Sequence, residues 1–106
     1  MAAGSAVAFS MPKPPSLSEF SFSFLEKKLP CGSQRKARHG EEDWVFYYTN
    51  ENKIFALSRD DWRHFQTWID LNGDGTYDEY FEGDDGYTEM LLKYPHPCSI
   101  FEKEHV

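Results

Sequence analysis

Phenylalanines at 20, 22 and 24 alternate with serines, and period-2 alternation of rings with small polar residues predicts a half-buried strand. Ahead of it, residues 1–16 combine Ala, Gly and Ser with the prolines of MPKPPS. Proline lacks an amide donor and pushes the preceding residue to extended geometry, so 1–16 is expected to be a disordered, extended leader. After Leu29 the chain turns polar and is punctuated by Pro30, Gly32 and Gly40, which predicts a basic linker to complete a 17–40 segment.

From Trp44 the pattern sharpens. WVFYYT and KIFALS are β-branched and aromatic runs separated by NEN, and Asn tolerates left-handed turns, so the pair predicts a β-hairpin. Over 58–69 two periods compete. Ser58 with Asp61 resembles a capping box and Trp62, Phe65 and Ile69 share a helical face, which predicts a helix. Phe65, Thr67, Ile69 and Leu71 alternate as a strand would. TYDEYFE and YTEMLLKY, separated by GDDG, predict a second hairpin, and Pro95 and Pro97 are expected to end regular structure before a charged tail at 99–106. The expectation is a small single α+β domain with antiparallel hairpins and one helix, its acidic body spanning 41–98. If 58–69 is extended, the alternative is an all-β meander or small barrel.

Composition narrows the classes. The chain has 106 residues with 9 Phe, 3 Trp and 6 Tyr, enough rings for a small core and too many for a wholly disordered chain. No apolar run approaches the roughly 20 residues of a membrane-spanning helix, so no membrane role is expected. The net charge of −7 argues against direct nucleic-acid binding. That charge is uneven: residues 26–40 hold five bases against one acid, and residues 70–89 hold eight acids and no base. An acidic face of this kind suits a basic protein partner through electrostatic steering. The N-terminus has no basic n-region of a secretory signal, and Cys31 and Cys98 are too few for a small secreted domain. A cytoplasmic protein with two free thiols is therefore expected.

One stretch carries chemistry. In Asp70-Leu71-Asn72-Gly73-Asp74-Gly75-Thr76-Tyr77-Asp78, oxygen-bearing side chains recur at alternate positions, and Gly75 sits sixth, where a wrapping backbone needs a residue without Cβ. A hard cation wants six to eight oxygens, which such a loop supplies. The stretch resembles the first nine positions of an EF-hand loop and other DxNxDG loops. The resemblance implies calcium as cofactor, held by Asp70, Asn72, Asp74, the Thr76 carbonyl and Asp78. The twelfth position, the family's bidentate Glu, is Phe81, so Glu82 is the acid left to close the shell. Without an ion, the same Asn-Gly and Asp-Gly pairs are strong turn formers, with the carboxylates capping loop amides.

Catalytic constellations are absent: the chain has no G-x-S-x-G, P-loop or H-E-x-x-H pattern, and the adjacent Asp78 and Glu79 point to opposite faces of a strand. The expectation is a non-enzymatic protein-binding module, of inhibitor, immunity or adaptor type, whose partner-binding residues are Asp78, Glu79, Tyr80, Glu82, Asp84, Asp85 and Tyr87. Tyr suits such a face because it buries a ring and keeps a polar tip. A calcium module and a nucleic-acid mimic, its carboxylates imitating phosphates in a basic groove, are the alternatives.

Overall fold

The computed structural model describes residues 11–59 and 64–103. A single 3-10 turn at Leu17–Glu19 leads into six strands: β1 (Ser21–Leu29), β2 (Gly32–His39), β3 (Glu42–Thr49), β4 (Ile54–Arg59), β5 (Gln66–Ile69) and β6 (Glu79–Glu82). They pair in chain order as an open antiparallel meander. Two helices follow, α1 (Gly83–Lys93) and α2 (Pro97–Lys103). The result is a small domain dominated by an antiparallel sheet, with one helix and a second short one, and the sheet has the meander order foreseen as the alternative.

Both faces of the sheet are buried around its centre. On one, Phe20, Trp44, Phe46, Leu57 and Trp68 form an aromatic cluster, with Trp44 and Trp68 stacked at 5.7 Å and Phe20 set edge-on to Phe46 at 4.9 Å. On the other, α1 and α2 cover Phe55, Ala56 and Ile69 with Tyr94, Ile100 and Phe101. Burial on both sides explains why β4 and β5 lack a clean polar-apolar alternation.

Six expectations are corrected. The helix over 58–69 is absent from the described part of that span: Ser58 lies in β4 and Gln66–Ile69 form β5, while 60–63 lie outside the described residues. Ser58 does not cap; its hydroxyl pairs across the strands with the Thr67 hydroxyl at 2.9 Å, both residues buried. The basic linker is strand β2, held by backbone pairing along its length to β1 and β3. Its buried residues are small, Gly32 and Ala37, so no apolar pattern announces it. A methyl at Gly32 would stand 2.0 Å from the Tyr48 carbonyl oxygen and 3.2 Å from the Phe101 ring, so the strand approach requires glycine there.

The expected second hairpin is also replaced. Its second strand is α1, and GDDG is the first helical turn, where Asp84 and Asp85 suit the positive end of the helix dipole. Gly86 packs against the Phe81 backbone and Met90 and Tyr94 repeat at four-residue spacing, a helical stripe with only two side chains of size. The charged tail is largely α2, with Ile100 and Phe101 buried. Finally, the thiols are not free: Cys31 and Cys98 form a disulfide, Cα–Cα 5.8 Å, that ties the β1–β2 turn to α2. The leader divides: residues 1–10 lie outside the described residues, and Met11–Ser16 run against the sheet, where Trp68 Nε1 donates to the Pro12 carbonyl at 2.8 Å.

His39, beside the 3-10 turn, contacts Glu19 at 3.1 Å and Glu42 at 3.5 Å. The hydrogen bond to Glu19, aided by Glu42, raises the His39 pKa above its ordinary 6.5, and the same bond lowers Glu19 below 4.5. The histidine's share of this pairing is complete below about pH 6.5 and fades as pH rises through its raised pKa; the glutamate's is complete above about 4.5 and fades as pH falls through its lowered one. Histidine ring NMR titration should give a midpoint above 6.5 that Glu19→Gln moves down. An unmoved midpoint would contradict the pairing.

Candidate functional site

The loop between β5 and β6 is built on Asp70, which is 1 % exposed at the end of a buried strand. Its own amide donates to the Phe55 carbonyl at 2.8 Å, fixing its backbone to β4, and the Asp78 amide returns to the Ile69 carbonyl at 2.7 Å, closing the loop on its own strand. Within that closure the Asp70 carboxylate gathers amides. Its Oδ1 accepts from Gly73 at 2.8 Å and, more weakly, from Asn72 and Asp74, while Oδ2 accepts from Gly75 at 2.8 Å. Gly75 reaches this position at φ 95°, where a side chain would be strained. Asn72 and Asp74 make the next links, accepting from the Asp74 and Thr76 amides, and Asp78 accepts from the Leu71 amide at 2.9 Å.

One carboxylate oxygen each from Asp70, Asp74 and Asp78 lies within 4.8 Å of the others. Such a group attracts a hard cation and repels itself without one. Tyr77, packed beneath the loop against the aromatic cluster, has its hydroxyl pKa pushed up to about 12, first by burial and then by the Asp70 charge. Glu82 is not part of this group. It is exposed at the far end of β6 and accepts a hydrogen bond from the Tyr80 hydroxyl, so the position expected to close a calcium shell faces elsewhere.

The seven residues expected to meet a partner fall into two sets. Asp78 serves the loop, and Glu79 is engaged with Lys93 Nζ at 2.7 Å and the Tyr94 hydroxyl at 3.0 Å. Tyr80 packs against Trp68, and its hydroxyl bridges Gln66 and Glu82, with burial and the Glu82 bond pushing its pKa up to about 12. Glu82, Asp84, Asp85 and Tyr87 gather instead at the start of α1, all exposed.

Sequence reasoning missed the other half of that surface. At 100° per residue, Gly86 and Met90 turn inward while Asp84, Thr88, Leu91 and Leu92 turn out. Leu92 is 81 % exposed, Leu91 40 % and Tyr87 47 %; among the described residues Leu17 is the one other large hydrophobic exposed to this degree. The signal was present as LL in a run with inward residues at 86, 90 and 94, but reading that run as a strand concealed it. Phe65 supports the patch edge-on to Tyr87 at 5.0 Å. Among the described residues, no helix is long and apolar enough to cross a membrane. Compared with known proteins, the chain matches no protein-family model, no curated protein and no solved structure.

Proposed function

We propose that this is a non-enzymatic protein-binding module whose α1 face docks a basic partner segment. The observation that carries it is the exposure of three large apolar residues on the outward half of one short helix, Tyr87 and Leu91 one turn apart and Leu92 beside Leu91, among Asp84, Asp85 and Glu89. Exposed apolar residues scattered singly are ordinary, but a group with a charged rim marks an interaction surface. The leucines supply the buried centre of the contact, and the acids supply orientation and fast encounter. The Cys31–Cys98 bridge supports an oxidising compartment for this role, in place of the cytoplasmic one expected from the cysteine count.

The nucleic-acid mimic finds less support, because Asp70 is buried and Asp78 and Glu79 are spent on internal partners, which breaks the row of outward charges. Calcium binding is the second reading, supported by the three carboxylate oxygens gathered at the loop. The test of the first reading compares proteins retained from native extract by the immobilised full chain and by Leu92→Asp. The exposed substitution should leave melting unchanged within about 0.5 kcal/mol. Partners eluted by salt from the wild type should fall at least tenfold on the variant. Equal retention would overturn the reading.

A further inference from the structure

The leader is not merely parked on the sheet. Met11 stands at the β6 edge beside Tyr80 and Phe81, Pro12 meets Trp68 on β5, and Pro14 and Pro15 form one wall of a cleft of about 470 Å³ whose other walls include Lys53, Ile54, Leu57 and Tyr77. The segment thus crosses three strands on the aromatic face, opposite the helices. Its backbone is suited to this. Proline rings fix φ near −65°, residues that precede proline favour extended geometry, and Ser16 at φ −74°, ψ 155° continues the polyproline II conformation. An indole N–H donating to a proline carbonyl while rings and aliphatics receive the pyrrolidines is how aromatic grooves recognise proline-rich chains. The ligand's preformed helix keeps the entropy cost low. The cleft also has a charged rim of both signs, Asp74 beside Gly73 and Gly75 and Lys53 across from them, and the leader carries Lys13, exposed, between its prolines.

We infer that the groove formed by Trp68, Tyr77, Leu57 and Ile54 is a binding site for proline-rich segments, which the chain's own Pro12–Pro15 covers in cis, Pro12 on the Trp68 indole and Pro14 and Pro15 along one wall. A proline-rich segment of another protein competes with the leader for it. The site is independent of α1, which lies on the other face.

The test follows the Trp68 indole N–H by NMR in the full chain. Two synthetic peptides are added: residues 11–17, Met-Pro-Lys-Pro-Pro-Ser-Leu, and the same peptide with its three prolines replaced by alanine. The tethered leader competes at an effective concentration in the millimolar range, so in the wild type the proline peptide should move the resonance only at millimolar levels. In the full-chain variant Pro12→Ala/Pro14→Ala/Pro15→Ala it should bind at least tenfold more tightly, and the alanine peptide should do neither. If that variant lacks native dispersion, Trp68→Phe in the otherwise unchanged chain keeps an aromatic ring and removes the donor. Methyl resonances of Leu57 and Ile54 should then report at least fivefold weaker binding of the proline peptide. An indole resonance unmoved by the proline peptide, or moved equally by the alanine peptide, would overturn the inference.

Discussion

Replacing Cys31 and Cys98 together by serine should lower stability by about 4 kcal/mol, the largest effect we expect from any pair of surface-neutral changes. The bridge spans 67 residues, so it closes most of the folded chain into one loop, and the chain-entropy model assigns a closure of that length about 4 kcal/mol. It also anchors an element with little else to hold it. α2 has seven residues, too few to be helical alone, and Ile100 and Phe101 are its buried contacts with the sheet. A domain of this size has roughly 5–15 kcal/mol in total, so the melting temperature should fall by about 20 °C. Urea unfolding of wild type, wild type with reductant and the double variant checks this: the last two should coincide, well below the first. Wild-type stability in the serine variant would contradict the bridge.

Asp70→Ala should cost about 3 kcal/mol, because it strips the shared acceptor from four loop amides at the end of a buried strand. Asp74→Ala removes only the cap on the Thr76 amide and should cost about 1 kcal/mol or less. The contrast separates a self-supporting turn from a metal loop. If the loop holds calcium, free ion at about a hundred times the dissociation constant should add about 2.7 kcal/mol to the wild type and little to Asp74→Asn, whereas Mg²⁺ and Na⁺ at equal ionic strength should not reproduce it. An equal response to all three would leave the loop as a turn. Asp70→Ala as mild as Asp74→Ala would contradict the role given to the buried carboxylate.

What was legible in the chain follows from which elements bury side chains and which bury backbone. The β3–β4 hairpin announced itself because Trp44, Phe46 and Leu57 all turn into one cluster. β2 did not, because its buried residues are small: Gly32 lies against the Tyr48 backbone and the Phe101 ring of α2, and Ala37 lies within the aromatic cluster. α1 was hidden for a related reason: Gly86 contributes a close approach and no side chain, which left the outward leucines to suggest a strand. The prolines before α2 misled in the opposite sense, since Pro97 opens that helix, where its missing amide costs nothing. The two cysteines carried no spacing signal, their partnership being set by the packing of α2 on the β1–β2 turn. Of the candidate sites, the Asp70–Asp78 loop could be read directly, because its hydrogen bonds are local. The α1 surface could not, because recognising it required knowing which side of the run faces the sheet.

The docking surface itself is tested most directly by photo-crosslinking. A photoreactive amino acid is placed at position 92 in the full chain, with a second protein carrying it at Glu51, whose side chain is 76 % exposed away from α1 in the β3–β4 turn. In native extract we expect position 92 to form a discrete adduct that fades with added salt and with Asp84→Asn/Asp85→Asn, and position 51 to form none. Adducts of equal yield from both positions, or none from position 92, would contradict a partner-binding α1 face.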